Sequence, residues 1–165
     1  MIRSVRLSDA KAITKIYNYY IKETTVTFET EEITEKEMKS RITKTLEYGY
    51  PFIVYEEDGI VTGYAYVRKW RERISYDNTL ETSIYVDKDK KTKGTGKKLY
   101  NSLIELCRKS GVHVLIGVLA DTNTASQKLH ENTGFEKTGH FKEAANKFGK
   151  FIGVEFWSLI LKAAG

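Results

Sequence analysis

The sequence predicts a single mixed α/β domain, and three observations carry that reading. Two strand-like runs, Phe52 to Glu56 and Ile60 to Val67, flank Asp58-Gly59, a strong hairpin signal. A strand, a basic glycine turn and an amphipathic helix follow one another between residues 80 and 107. Val112 to Leu119 is a continuous apolar run, the pattern of a strand covered on both faces. The 165 residues suit one domain, taken as 1–165, with a proper core. Hydrophobic content of 41% and charged content of 30% belong to an ordinary water-soluble chain.

The elements follow in order. Ile2 to Leu7 alternates apolar and polar residues and reads as a first strand. Ser8 and Asp9 are N-cap types, and Ala12, Ile13, Ile16, Tyr17 and Tyr20 follow at helical spacing. Thr24 to Glu32 is a polar loop with one large apolar residue, Phe28. Thr34-Glu35-Lys36-Glu37 is a capping box, after which Met38, Ile42 and Leu46 mark a second helix. Gly49 and Pro51 end it. The hairpin comes next, and Trp70 to Asn78 is a polar, aromatic connection. Ile84, Tyr85 and Val86 favour a strand. Leu99, Leu103, Leu106 and Tyr100, Ile104, Cys107 place one face of a helix on a core. After the apolar strand, Asp121-Thr122-Asn123 caps a helix that runs to about Asn132 and stops at Gly134. Phe135 to Phe141 and Gly153 to Leu161 close the chain as strands, with Lys147-Phe148-Gly149 between them.

Charge and composition exclude several classes. The net charge of +5 and the pI near 9.1 suit a polyanionic small ligand, and a merely solvated surface equally. Lys and Glu alternate, so no basic block points to nucleic acid. The single cysteine, Cys107, excludes an internal disulfide and fits a reducing compartment; its place on an apolar helix face points to packing. Three scattered histidines give no metal-ligand spacing. The longest apolar run is far too short for a bilayer, and Met1-Ile2-Arg3 leads directly into a strand pattern rather than a signal peptide. A cytoplasmic location without membrane contact is the expectation.

The glycine turn carries the first chemistry. Lys91-Thr92-Lys93-Gly94-Thr95-Gly96-Lys97-Lys98 delivers backbone N–H groups to a helix N-terminus. Unpaired amides and the positive end of the helix dipole make that a site for phosphate. A P-loop is excluded, because Lys91 stands where its first glycine belongs and Lys98 where its hydroxyl belongs. A dinucleotide fingerprint is excluded because Leu99 occupies the place of its third glycine.

What remains, basic-x-x-Gly-x-Gly, resembles the pyrophosphate-binding motif of the GNAT superfamily of acetyl-CoA-dependent N-acetyltransferases, with Lys91 where the motif opens on Gln or Arg. Asn123-Thr124-Ala125-Ser126 leading to Leu129-His130-Glu131-Asn132-Thr133-Gly134-Phe135 is similar to a second segment of that superfamily, with His130 in place of its tyrosine. Further patterns resemble the phosphinothricin and methionine-sulfoximine acetyltransferases. These are Ile16-Tyr17-Asn18 with Thr27-Phe28, Trp70-Arg71 with Tyr76, Thr79 to Val86, Lys147-Phe148-Gly149 and Phe156-Trp157. Phe151 stands where that family often has Trp.

The resemblance implies a mostly antiparallel central sheet, a splayed parallel strand pair and helices on both faces. It also implies acetyl-CoA as cosubstrate, no metal, and commonly a homodimer. Acetyl transfer needs a neutral amine, and deprotonating an amine of pKa near ~10 at pH 7 costs roughly 4 kcal/mol, so a base is wanted. By family position Glu81 is that base; a surface carboxylate on a strand is the plain alternative. His130 stands near the coenzyme thiol in the family and is the second candidate, for relaying a proton or protonating the thiolate; a packed or capping histidine is its alternative. Ile84, Tyr85 and Val86 are expected to supply an oxyanion N–H and to pair with the pantetheine arm. Lys91, Thr92, Lys93, Gly94, Thr95, Gly96 and Lys97 are expected on the pyrophosphate, and Asn123 and Ser126 beside the arm.

Arg71 and Arg73 are expected to clasp an acceptor carboxylate, with Phe28, Tyr76, Thr82 and Ser83 lining its pocket and Lys147 reaching a neighbouring subunit's site. His113 and His140 are left as structural. The expected activity is N-acetylation of a small amino-acid-like acceptor of the phosphinothricin, methionine sulfoximine or methionine sulfone class, by direct attack on the thioester. The rivals are a GNAT enzyme acting on a peptide N-terminus, a lysine or a polyamine, and a coenzyme-A-binding sensor without catalysis.

Overall fold

Among the described residues seven strands form one mixed sheet. They are β1 (Ile2–Ser4), β2 (Phe52–Glu57), β3 (Ile60–Lys69), β4 (Thr79–Val86), β5 (Val114–Ala120), β6 (Glu136–Lys147) and β7 (Lys150–Ile160), in the spatial order β1-β2-β3-β4-β5-β7-β6. The molecule is seen here as a computed structural model that describes residues 1–90 and 92–162. Every strand pair is antiparallel except β4–β5. Helices α1 (Ala10–Glu23) and α2 (Glu35–Glu47) cover one face; α3 (Thr95–Lys109) and α4 (Thr124–Asn132) cover the other. Among the described residues no helix is long and apolar enough to cross a membrane.

Two cores result, one on each side of the sheet. Ile13, Ile16, Ile21, Met38 and Ile42 pack from α1 and α2 onto Phe52, Val54 and Tyr64. Leu99, Tyr100, Leu103 and Cys107 pack from α3 onto Val67, Leu80 and Leu115. At α2 the Thr34 hydroxyl caps the helix, accepting from Glu37 N–H at 3.1 Å, but the reciprocal half of the capping box does not form, because the Glu37 carboxylate pairs with Arg41.

The ends of the chain differ from the sequence reading. The first strand stops at Ser4, because Asp9 accepts from Arg6 N–H at 2.7 Å and folds Leu7–Asp9 into a 3₁₀ turn. The Asp9 carboxylate, the expected helix cap, instead turns back to Arg6 N–H and Arg3. The closing hairpin is longer than its apolar stretches. β6 runs on to Lys147 and β7 starts at Lys150, joined through Phe148-Gly149. Its added residues are mostly exposed and polar, which hides a strand from an apolar pattern.

The sheet opens at its centre. β4 and β5 are paired only from Thr79↔Val114 to Thr82↔Gly117. Beyond that point β4 continues to Val86 beside β3, and β5 continues to Ala120 beside β7. The two strands therefore part company after Thr82 and Gly117.

Candidate active site

A groove of about 980 Å³ passes through this gap, with walls contributed from both faces of the sheet. On the α3 side it is lined by Val86, Gly96, Tyr100, Asn123, Ser126 and His130. On the α1 and α2 side it is lined by Tyr17, Phe28, Glu29, Tyr66, Arg68, Glu81 and Tyr85, among others.

Strand alternation sets what β4 offers. Asp87 N–H donates to Thr62 O at 2.7 Å. That residue pair extends the β3–β4 register, so Ser83 and Tyr85 also turn their backbone groups to β3. The N–H groups of Ile84 and Val86 and the Ile84 carbonyl consequently face the gap, while the Tyr20 hydroxyl donates to Val86 O. Of the expected strand contacts, Ile84 and Val86 present backbone to the groove and Tyr85 does not. The Tyr85 ring instead joins Tyr17, Tyr20 and Tyr64 on the opposite face.

The glycine turn ends where α3 begins. Gly94 is the helix N-cap at φ +89°, a left-handed conformation that suits only glycine at little cost. Lys98 N–H closes onto Gly94 O at 3.0 Å, which leaves the Gly96 and Lys97 N–H groups as first-turn donors. A side chain added at Gly96 would meet nothing nearer than Val86 Cγ2 at 3.9 Å. The fold itself therefore does not demand glycine there, whereas a ligand approaching the backbone would. Thr92, Lys93 and Lys97 surround this turn, Thr95 is buried beneath it, and Lys91 lies outside the described residues.

His130 and Tyr100 plug the apex of the gap. His130 Nδ1 lies 2.7 Å from the Ser126 carbonyl, and Nε2 lies 2.8 Å from the Tyr100 hydroxyl. Burial pushes the imidazole down to about 4, so it is neutral near pH 7. Nδ1 then carries the proton donated to Ser126 O, and Nε2 accepts from Tyr100. The Tyr100 oxygen sits 2.6 Å from Thr82 Oγ1, and burial drives its pKa far up. Gly117 makes the arrangement sterically feasible, since a Cβ there would lie 2.3 Å from His130 Nε2. His130 therefore has both ring nitrogens occupied, and Thr82 faces α3 rather than an acceptor pocket.

Glu81 occupies the other arm. Its carboxylate accepts from Arg68 Nε at 2.7 Å, from the residue directly opposite it in the β3–β4 register. Ser83 and Tyr85 follow on the same face. Glu29 is held bidentately by Arg41 at 2.7 and 2.9 Å and also accepts from Tyr17 O–H. The Arg41 pairing, followed by the Tyr17 hydrogen bond, keeps the Glu29 carboxyl below its ordinary range against the opposing cost of burial. Tyr66 lines this arm and is backed by Phe52 of the core, the two rings stacking at 4.8 Å.

Several expected acceptor contacts lie elsewhere. Arg71 is exposed and stacks on Trp70 at 4.2 Å, and neither Arg71, Arg73 nor Tyr76 lines the groove. Of their loop, Glu72, between the two arginines, lines the groove. Lys147 is buried in its own chain, where Nζ donates to Thr27 O at 2.8 Å, so it tethers the Phe28 loop instead of reaching a second subunit. Phe28 and Ser83 do line the groove, and Asn123 does so while its Oδ1 caps α4 through Ser126 N–H at 3.1 Å. Of the remaining histidines, His140 pairs with Asp121 at 3.0 Å. Among the described residues no cluster of three or more metal-binding side chains occurs.

Sequence reasoning missed Arg68, Tyr100, Tyr20 and the Glu29–Arg41–Tyr17 cluster. Only the β3–β4 register, which the length of the Trp70 to Asn78 connection leaves open, would have set Arg68 beside Glu81.

Residues 2–154 match the family described as an acetyltransferase (GNAT) domain. The chain is 39% identical to the phosphinothricin N-acetyltransferase of Alcaligenes faecalis over 152 residues, covering 92% of this chain and 77% of that one. It is 34% identical to the L-methionine sulfoximine/L-methionine sulfone acetyltransferase of Salmonella typhimurium, covering 97% and 94%. The yncA protein of Salmonella typhimurium, solved with its cofactor acetyl-CoA, superimposes with a TM-score of 0.96 at 33% identity, covering 100% and 95%.

Proposed function

The chain belongs to the GNAT acetyltransferase family, and from that premise we propose that it moves the acetyl group of acetyl-CoA onto the α-amine of a small amino-acid-like acceptor. The observation that carries this reading is one groove with two unlike arms. One arm ends at the amide-rich start of α3, and the other holds the Glu81 carboxylate among aromatic walls.

In this reading the coenzyme pyrophosphate rests on the Gly96 and Lys97 N–H groups, and the pantetheine arm fills the missing β5 partnership of Ile84 and Val86. Glu81 takes one proton from the acceptor ammonium, directly or through water, and passes it to solvent. The neutral nitrogen attacks the thioester carbon, and an Ile84 or Val86 N–H holds the developing oxyanion. The C–S bond then breaks, and the thiolate receives the second nitrogen proton as the amide forms. His130 donates nothing in this scheme. It is a positioning residue that fixes Tyr100 and Thr82 at the apex of the gap. Cys107 stays out of the chemistry, because burial holds its thiol up at about 12. The reading includes a homodimer, supported by Phe141, Phe148 and Phe151, which lie exposed along the outer hairpin.

Thiol release from acetyl-CoA tests the proposal, measured with methionine sulfone, methionine sulfoximine, phosphinothricin, other amino acids, polyamines and short peptides. Saturable turnover with the amino-acid-like group is expected. Turnover with peptides or polyamines alone would discard the acceptor, and acetyl-CoA binding with no turnover would favour a sensor.

A further inference from the structure

We propose that Arg68 is the acceptor's carboxylate anchor and, with Glu81, forms the charge pair that recognises an α-amino acid. The inference rests on the functional reading above and adds to it the group that selects the acceptor.

Glu81 and Arg68 face each other across β3 and β4, joined through Nε alone at 2.7 Å. An α-amino acid carries an ammonium and a carboxylate on one carbon. A carboxylate and a guanidinium held side by side are its complement: the ammonium meets Glu81 while the acid meets the free edge of Arg68. Bidentate binding of a carboxylate by a guanidinium edge is the strongest pairing of this kind.

The other cations along this arm are less suited. Arg41 spends Nη1 and Nη2 on Glu29 and Nε on Glu37. Lys69 reaches towards Asp77 at 3.8 Å and lies over the Tyr48 ring at 5.2 Å. Lys44 lines the groove from the last turn of α2 and makes no ion pair with Glu81, whose carboxylate is held by Arg68. Arg71 and Arg73 lie outside the groove. Among the described residues Arg68 alone combines contact with Glu81, a place on the groove wall and a side chain 58% exposed. Phe28, Tyr66 and Tyr85 then wall the space for the acceptor's own side chain.

The test uses the full chain with whichever panel amino acid turns over fastest, and that amino acid's decarboxylated amine. Arg68→Gln should raise KM for the amino acid about 10- to 100-fold; it also removes a hydrogen bond to Glu81, so kcat falls for acid and amine alike and the acid-to-amine ratio of kcat/KM is the readout. KM for the amine and for acetyl-CoA should stay as in the wild type, so the preference for the acid collapses. Arg68→Lys should restore part of it. Because the side chain is more than half exposed, the fold does not depend on it, and an unchanged acetyl-CoA KM checks that. An Arg68→Gln enzyme that keeps the wild-type preference overturns the anchor and leaves the functional reading standing. A wild type that acetylates amines but no α-amino acid, or that is silent across the panel, overturns both.

Discussion

Burial decides the charge of His130, and with it a pH dependence. The imidazole titrates near about 4 in the folded chain and near about 6.5 unfolded, so the folded state binds fewer protons between those values. Its stabilising contribution is complete above pH 6.5 and is lost as pH falls towards 4, amounting to about 2 kcal/mol by pH 5. Denaturant melts at pH 7 and pH 5 should therefore show the wild type losing about 2 kcal/mol more than His130→Gln; equal losses would mean that the ring does not stay neutral. Glu81→Gln should lower kcat by about 10²- to 10⁴-fold with the acetyl-CoA Kd unchanged, and wild-type turnover would remove it as the base. At this scale the sequence was half legible. Motif position drew attention to Glu81 and His130, but a motif does not say which face a side chain takes. The Thr82 hydroxyl lies one residue from Glu81 and points to the opposite side of the sheet.

Local chemistry made most elements readable, because a helix or a hairpin is specified by neighbours in sequence. The Thr34 cap, the Asp58-Gly59 turn and the Leu99 to Cys107 periodicity each name their own element. β6 was half missed because its outer run is polar and exposed, and its pairing with β7 rather than its composition makes it a strand. The two glycines of the turn separate backbone need from ligand need. Gly94→Ala places a side chain at φ +89° and should cost about 1–2 kcal/mol of stability. Gly96→Ala meets only Val86 at 3.9 Å, so its stability should stay within about 0.5 kcal/mol of the wild type. Its acetyl-CoA KM should nevertheless rise at least about 10-fold. The pair is read by thermal melts beside kinetics, and a Gly96→Ala enzyme with normal KM would remove the turn as the pyrophosphate seat.

Assembly of the whole molecule was the least legible step, and its reason is range. The pairing of β4 with β5 joins residues more than thirty positions apart, and their separation after Thr82 and Gly117 follows from what wedges between them: Tyr100 from one helix and His130 from another. No local pattern announces a gap that two distant side chains prop open. The family resemblance supplied the expectation, and the register supplies the physical account. The opening is lined from both sides of the sheet, and on the proposed reading donor and acceptor would enter from opposite sides and meet at its apex. A single compound spanning both sides, coenzyme A joined through its sulfur to an amino acid, would thread the sheet like a bolt. Its second half would bind at the effective concentration set by so short a tether, and its affinity should exceed that of acetyl-CoA by about 10²- to 10⁴-fold. Calorimetry with the tethered compound and with acetyl-CoA would measure the gain; no gain would mean that the two passages do not meet. On the same reading each product would leave by its own side, so neither would have to wait for the other.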